Sequence, residues 1–344
     1  MDVMAAFANQ VDYCRANEAP VTAAIVAAIA KALRPTNAFG ITVLDWPGNP
    51  LADGLPLRCA AALRSLHLEG KARILDPIYR GTAEPEEAET AVAAILAMHG
   101  DALLPWVDRP PQTNEAGRSV GYVAAMLWLA ARGLPSRFEL IEIGSSAGIN
   151  LMLDRYAYDL GGVRVGAEGP VLTLRPDWRG PMPREQDIEI VSAWGCDVAP
   201  IDLTRQSGRR RLEAYIWPEQ KERLERFKLV TAAARAKPPN LVEAEAADFV
   251  ESQLSRPQDD GVTRLLVHSI TWQYLTCKSK ERITDAMERA GARATQDQPL
   301  GWVRLEADRQ ILRHVLEVQY WPGGDGTTRL AEAHAHGRWM EWQA

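Results

Sequence analysis

The chain has 344 residues, 47% of them hydrophobic and 24% charged, a composition typical of a soluble globular protein and not of a disordered or fibrous one. Its 39 Lys and Arg against 45 Asp and Glu give a formal net charge of -6, which disfavours a purely electrostatic nucleic-acid binder. The length is sufficient for two domains.

The cysteines and the N-terminus favour a cytoplasmic protein. Cys14, Cys59, Cys196 and Cys277 are far apart and form no C-x-x-C pair, so neither a zinc knuckle nor a disulfide scaffold is indicated. Asp2 without a basic segment predicts no signal peptide. The longest apolar run, residues 21–30, is shorter than the ~20 residues that cross a bilayer. We therefore expect no membrane partner.

Residues 1–110 are rich in alanine and carry apolar residues at helical spacing, with little strand-like alternation. Pro20 suits the first turn of a helix. A break at 105–111, P-W-V-D-R-P-P, follows. We predict an all-α N-terminal cap domain over residues 1–110 and a second domain over residues 111–344.

Residues 112–118, Q-T-N-E-A-G-R, precede an apolar helical face and allow two interpretations. They are either a capped helix start, with Thr113 or Asn114 as the cap and Glu115 paired with Arg118, or a polar loop over a ligand site.

The central stretch of the sequence is residues 138–150, F-E-L-I-E-I-G-S-S-A-G-I-N. Residues 138–143 predict a strand, the small residues that follow predict a turn, and apolar spacing from Ile149 to Tyr156 predicts a helix. Strand, small-residue turn and helix are typical of a nucleotide-binding unit, in which glycines and a helix N-terminus meet the ligand.

Further strands and helices alternate to the end of the chain. Residues 159–186 predict an insertion with one short hairpin; strands are predicted near 188–197, 240–244, 264–270 and 300–305, helices at 218–236 and 279–290, and a hairpin from 314–321 and 327–334. Together with residues 138–143 this makes seven strands. The pattern predicts an α/β fold with a doubly wound, mostly parallel seven-stranded sheet that ends in an antiparallel hairpin.

This arrangement resembles class I S-adenosylmethionine-dependent methyltransferases, whose first strand carries the pattern E/D-x-G-x-G-x-G. Glu142, Gly144, Ser146 and Gly148 occupy those places, with Ser146 replacing the middle glycine. The resemblance implies S-adenosylmethionine as cofactor, with Gly144 and Gly148 near its methionine part and Glu142 acting through water or the cofactor's amino group. We also expect Asn150, at the end of the same stretch, to bind the cofactor.

The same resemblance implies roles at the ends of three later strands. Asp197 would accept from the ribose hydroxyls, with Glu168 as a fallback, and Asp248 would contact adenine. His268 and Ser269 would be catalytic or substrate-orienting. His268 has a second interpretation, a buried histidine satisfied by a backbone carbonyl. The absence of N-P-P-Y argues against a base or amide nitrogen as methyl acceptor.

Two other interpretations use some of the same residues. Residues 144–148 also fit G-x-S-x-G, the nucleophile elbow of α/β-hydrolases, with Ser146 as nucleophile, Asp260 as acid and His268 or His336 as base. That fold places several strands before its elbow, whereas the preceding chain reads as helical. A non-catalytic nucleotide-binding protein is the third possibility. His334 and His336 could form half a metal site, but no third ligand is evident, so we predict no metal.

The whole chain resembles a bacterial family catalogued as domain of unknown function 2332. The elements that carry this resemblance are Q-T-N-E-A-G-R (112–118), G-S-S-A-G-I-N-L (144–151), D-R-Y-A-Y (154–158), G-C-D-V-A-P-I-D (195–202), W-P-E-Q (217–220), V-H-S (267–269) and H-G-R (336–338). It implies that Asn114, Glu115 and Arg118 line the site, where the guanidinium of Arg118 would hold a substrate carboxylate or phosphate. The expected function is methyl transfer to a small molecule; the acceptor and the oligomeric state stay open.

Overall fold

A computed structural model describes residues 2–308, 310–311 and 313–344. Its contacts divide the chain into two compact units. The first comprises Met1–Thr113 and Arg205–Glu225, and the second comprises Asn114–Thr204 and Arg226–Ala344. Within the described ranges the α-helices are α1 (Val3–Ala16), α2 (Pro20–Ala32), α3 (Ala38–Leu44), α4 (Leu55–Leu68), α5 (Asp76–Tyr79), α6 (Pro85–Val107), α7 (Ser119–Ala130), α8 (Gln206–Glu213), α9 (Lys221–Ala236), α10 (Ala246–Ser255) and α11 (Cys277–Gly291).

The first unit is helical, and its core is formed by the apolar faces of α1 to α6. A segment from late in the chain completes it, because the Glu219 carboxylate accepts hydrogen bonds from the Thr22 backbone N–H and hydroxyl, both at 2.8 Å. Thr22 lies in the first turn of α2, where backbone N–H groups have no helical partner. Glu219 therefore caps a helix that begins about 200 residues earlier in the sequence.

One helix of this unit, α6, is long and apolar enough to cross a membrane by length and composition. It is the one such helix among the described residues. Its buried side chains, including Val92, Ile95 and Leu96, belong to the core of the first unit. A buried core helix passes the same length and composition test, so the helix assigns no membrane location.

The second unit contains a nine-stranded sheet in the order β5-β12-β11-β10-β9-β8-β1-β6-β7 and a three-stranded sheet in the order β3-β2-β4. The strands are β1 (Arg137–Ile143), β2 (Ala157–Leu160), β3 (Val163–Gly166), β4 (Thr173–Leu174), β5 (Asp177–Arg179), β6 (Glu189–Asp197), β7 (Asn240–Glu243), β8 (Thr263–Ser269), β9 (Leu300–Asp308), β10 (Arg313–Trp321), β11 (Thr328–Ala333) and β12 (Trp339–Trp342). The protein is thus mixed α/β with a large, mostly parallel sheet.

The predicted count of seven strands in the main sheet is wrong. All seven predicted strands are present, but β12 pairs with β11 beyond the hairpin, and β5 then pairs with β12. Both additional strands are only three or four residues long, and β5 lies in the glycine- and proline-rich insertion, so neither carries a clear alternation. The predicted hairpin of β10 and β11 is therefore part of a longer antiparallel meander that starts at β9.

The helix predicted after the central turn is also wrong. The segment Asn150–Arg155 is a short 3₁₀ helix in which Met152 departs from helical dihedral angles. Two tyrosine hydroxyls take backbone carbonyls from this segment: Tyr156 donates to the Ile149 oxygen at 2.9 Å and Tyr158 to the Leu153 oxygen at 3.1 Å. The two hydroxyls thus bind carbonyl oxygens that would accept backbone N–H groups in an α-helix.

The two faces of the main sheet carry different helices. Helices α10 and α11 pack on one face, where Ile141, Leu266 and Trp302 join their hydrophobic cluster. Helix α7 packs on the other face, since a Cβ added at Gly121 would lie 3.2 Å from Leu316 and 3.8 Å from Leu305. Side chains alternate between these faces along each strand, so parity and register assign residues to one of them away from the register shifts at Phe138/Glu139 and Leu316/Glu317.

Candidate functional site

The turn after β1 is a tight bend in which alternate residues have left-handed backbone. Gly144 has φ +64°, Ser146 +54° and Gly148 +70°. The bend is joined to the end of β6, because Ser145 N–H donates to the Cys196 oxygen and Ser146 N–H to the Asp197 carboxylate, both at 2.9 Å. The bend is thus fixed by the neighbouring strand and not by a following α-helix.

Replacing Gly144 tests how closely this bend is packed. A Cβ there would lie 2.3 Å from the Thr271 hydroxyl oxygen, in addition to the left-handed φ. We expect Gly144→Ala to lower the free energy of unfolding by more than about 2 kcal/mol, measured by urea denaturation. Gly261 is a matched control, because its φ of +71° is similar and no atom lies within 4 Å of an added Cβ. An equal loss in the two variants would contradict the packing of Thr271 against Gly144.

The turn after β8, the strand next to β1 in the sheet, also has a strained backbone. Ile270 has φ +53°, which a β-branched residue rarely adopts. The Glu306 carboxylate holds this turn by accepting from the backbone N–H groups of Thr271 at 3.1 Å and Trp272 at 3.2 Å. Of the three non-glycine residues with positive φ in the described ranges, two therefore lie at the carboxyl ends of β1 and β8. Such strain concentrates at functional sites.

His268 is fully buried, and both of its ring nitrogens are engaged. Nδ1 lies 2.6 Å from the Glu306 carboxylate, and Nε2 accepts from the Trp302 indole N–H at 3.0 Å. This pattern places the neutral ring's proton on Nδ1, and Trp272 stacks on the ring at 5.2 Å. The geometry supports a positioning role for His268, with a carboxylate and an indole as partners in place of the carbonyl considered from the sequence. Its neighbour Ser269 lies on the opposite, α7 face.

A buried polar cluster lies on the α7 face at the end of β1. One Glu142 oxygen lies 3.2 Å from the donating hydroxyl of Tyr122 and 3.3 Å from the Asn150 side-chain amide. The other carboxylate oxygen of Glu142 and the side-chain oxygen of Asn150 are buried and have no hydrogen-bond partner among the described residues. Burial raises the pKa of Glu142 to about 7, against hydrogen bonds and the charge of Arg118, which act to lower it.

The segment 114–118 is next to this cluster and to the central turn. The side-chain oxygen of Asn114 accepts from the Ile149 backbone N–H at 2.9 Å, and Glu115 pairs with Arg226 at 3.1 Å. Arg118 is 4% exposed and donates from Nε to the Ala335 oxygen at 3.0 Å. The structure therefore brings the two motifs together, with a 3₁₀ turn at Ala116–Arg118 leading into α7.

The predicted acids of the later strands have different positions. Asp197 ends β6 and accepts from the backbone N–H groups of Ser146 and Ala199, each at 2.9 Å. Asp248 lies in the first turn of α10, 65% exposed, and pairs with Arg282 of α11 at 2.6 Å, so its contact with adenine stays a prediction. The fallback acid Glu168 lines a cavity beside the small sheet, away from the central turn.

Two residues of the site, Tyr122 and Glu306, carry no motif in the sequence. Tyr122 lies inside an apolar helix, while Glu306 lies within a strand whose pairing decides where it faces, as does His314 on the next strand. Sequence alternation along β9 could have indicated Glu306 as an inward-facing acid. His334 and His336 have ring centroids 5.5 Å apart, and the described residues contain no group of three or more potential ligands that could hold a metal ion.

Two cavities of the second unit lie elsewhere. One of about 210 Å³ is at the amino ends of β8 and β9, lined by Arg264 and Leu300, and one of about 320 Å³ is beside the small sheet, lined by Tyr158 and Arg175. Neither includes a residue of the central turn. We place more weight on the strained turns and unpartnered buried oxygens, because these features are costly unless function retains them.

Comparison with known proteins identifies a family. A family model described as "Uncharacterized protein conserved in bacteria (DUF2332)" matches residues 4–342. No curated protein and no solved structure matches the chain.

Proposed function

The chain belongs to the bacterial DUF2332 family, whose description assigns no activity, and we propose that it transfers a methyl group from S-adenosylmethionine to a small-molecule acceptor. The observation that carries this proposal is the pair of unpartnered acceptor oxygens on Glu142 and Asn150. Buried acceptors without donors are destabilising unless a ligand supplies the donors. A ligand ammonium has three N–H donors and a charge that favours ionised Glu142.

The position of the cluster in the sheet supports a nucleotide ligand. Strand β1 lies between β6 and β8, and the chain proceeds outwards through β6 and β7 before returning to β8. In open α/β sheets, ligands bind at the carboxyl ends of the strands where the order reverses. The turns of Gly144 and Ile270 flank that point, so the methionine part of the cofactor would lie against the Glu142 cluster.

Asp197 and Val198 suit the sugar and the base. Each Asp197 oxygen accepts one backbone N–H, so each retains a second lone pair for a ribose hydroxyl. Val198 follows directly and is 67% exposed, so it would offer an apolar contact to adenine. Arg118 would pair with a carboxylate of cofactor or acceptor.

Catalysis would depend mainly on positioning. The cofactor supplies a sulfonium methyl group when bound, and the chain's own residues fix the acceptor in line with it and exclude water. Glu306 and His268 would keep the β8 turn in the conformation that orients Ser269. We further propose that the protein acts in the cytoplasm on a small molecule, without a nucleic-acid or membrane partner.

Calorimetry with S-adenosylhomocysteine and S-adenosylmethionine tests this function. We expect the full chain to bind both at submicromolar to micromolar concentration. A non-catalytic nucleotide-binding protein would bind them without transferring the methyl group to any acceptor. Absence of binding for both would overturn the proposal.

A serine hydrolase is the second candidate, and one observation favours it. Ser146 has the left-handed backbone expected of a strained nucleophile elbow. Against it, both nitrogens of His268 are engaged and no α-helix follows the turn. Labelling of Ser146 by a fluorophosphonate, abolished in Ser146→Ala and not in Ser145→Ala, would replace methyl transfer with this function.

A further inference from the structure

Register places a second histidine on the same face as the Glu142 cluster. Glu142 pairs across the sheet with Val267, and Ser269 lies two residues further along β8 on the same face. Ser269 pairs with Leu305, Leu305 with Leu316, and His314 precedes Leu316 by two residues on β10. Glu142, Ser269 and His314 therefore all face α7, whereas His268 faces the opposite side.

His314 differs from His268 in having both ring nitrogens available. It is half-buried and makes no hydrogen bond through its ring to any described residue, while its side chain lies beside charged groups. It pairs with Ala307 and Ala333, so small side chains flank it on both neighbouring strands. An imidazole held in this way can accept a proton from a ligand at the carboxyl edge.

The charged groups around His314 come from three elements. Arg118 approaches from the segment before α7, Glu306 from β9, and His334 from the residue after β11. Helix α7 contributes no charged side chain. The pKa of His314 is lowered to about 4, and burial is the largest cause. The positive charge of Arg118 also lowers this pKa, and its effect is larger than the opposite effect of Glu306. The ring is therefore neutral at physiological pH.

We propose that His314 is the general base of the methyl transfer and that the acceptor is an anion whose carboxylate or phosphate pairs with Arg118. This inference rests on the proposed function. The acceptor would lie over β8, β9 and β10. The last of these, β10, is three strand spacings, or about 14 Å, from β1. The positive charge of Arg118 also acts to lower the pKa of Glu142 and of Tyr122. Arg118 therefore lies near the proposed cofactor residues as well as near His314.

Methyl transfer with His314 as the base needs no oxidant, reductant or other reactant besides the cofactor and the acceptor. The acceptor's oxygen or nitrogen donates an electron pair to the methyl carbon, the carbon–sulfur bond breaks, and its electron pair stays on sulfur as a neutral thioether. The proton of the acceptor passes to a His314 ring nitrogen. An anion on Arg118 would neutralise the charge that opposes protonation of His314, so the acceptor itself would bring the base closer to its working range.

Nuclear magnetic resonance of the full chain labelled with ¹³C-histidine tests the coupling between Arg118 and His314. The variant His314→Asn assigns the resonance among the six histidines. We expect a titration midpoint of about 4, raised by about one pH unit by millimolar benzoate as a carboxylate probe. Arg118→Gln should raise the midpoint without benzoate. Arg118→Lys, which keeps the charge at this buried position, should preserve the low midpoint.

Two results would overturn the inference: a His314 midpoint near the ordinary value, or a midpoint that neither benzoate nor Arg118→Gln changes. His99, in the other unit, is the internal control and should not respond. The activity readout is tritium transfer from methyl-labelled S-adenosylmethionine to the small-molecule fraction of a bacterial extract. His314→Asn should lower it at least 100-fold with unchanged affinity for S-adenosylhomocysteine. If the unsubstituted protein itself does not bind S-adenosylhomocysteine, the proposed function is wrong, whatever the role of His314.

Discussion

Replacing Glu142 with glutamine is expected to raise the free energy of unfolding by about 3 kcal/mol at pH 8. Burial raises the pKa of this carboxyl from 4.5 to about 7, and each pKa unit corresponds to about 1.4 kcal/mol. The folded protein keeps the proton to higher pH than the unfolded chain does, so the native protein loses stability as pH rises from 4.5 to 7. Glutamine never ionises and removes this loss.

Urea denaturation at pH 4 and pH 8 measures the effect. The variant and the unsubstituted protein should differ little at pH 4 and most at pH 8. Glu139→Gln is the matched control on the same strand, because Glu139 pairs with the buried Arg264 at 2.8 Å and its loss should destabilise the protein. A Glu142→Gln variant that is less stable at pH 8 would contradict the burial argument.

The same substitution should weaken binding of S-adenosylmethionine at least tenfold. The amide keeps the shape of the side chain and an oxygen for Tyr122, but it removes the negative charge that would face the ligand ammonium. Stability gained together with affinity lost is the combination expected of a residue retained for function. Unchanged affinity would assign the ammonium site elsewhere.

Replacing Asp197 with alanine is expected to abolish binding of S-adenosylhomocysteine and to lower the free energy of unfolding by about 3 kcal/mol. The carboxylate holds the central turn through Ser146 and its own turn through Ala199, and each charged hydrogen bond contributes about 1.5 kcal/mol or more. Calorimetry measures the first effect and urea denaturation the second.

Asp202→Ala is the control for this experiment. Asp202 lies five residues later and likewise accepts from a nearby backbone N–H, that of Thr204 at 2.8 Å. We expect it to leave the affinity for S-adenosylhomocysteine unchanged. Asp197→Ala with full affinity would transfer the ribose role to another residue, whatever its effect on stability.

Local patterns were sufficient to predict much of the second unit. The strand at Arg137–Ile143, the small-residue turn and the hairpin of β10 and β11 all follow from alternation and turn chemistry, which act over a few residues. The family also follows from motifs along the chain, and its assignment is confirmed. The errors lie where contacts outside the local pattern decide: the hydroxyls of Tyr156 and Tyr158 bind carbonyls of the predicted helix, and the short strands β5 and β12 depend on the strands beside them.

The candidate site was predictable only in part for the same reason. Asn114, Arg118 and Glu142 stand in motifs, and the structure brings them together. His268 also stands in a motif, but its partners Trp302 and Glu306 lie more than 30 residues away, and they decide what its nitrogens can do. His314 stands in no motif, and only strand register shows that it shares a face with Glu142.

The central claim is that a sulfonium nucleoside binds at the carboxyl ends of β1 and β6. Ultraviolet crosslinking of methyl-labelled S-adenosylmethionine to the full chain, followed by peptide mapping, tests it most directly. We expect the label on peptides containing residues 142–150 or 195–199, and we expect excess S-adenosylhomocysteine to prevent it. Label confined to other peptides, or label that excess S-adenosylhomocysteine does not displace, would contradict the claim.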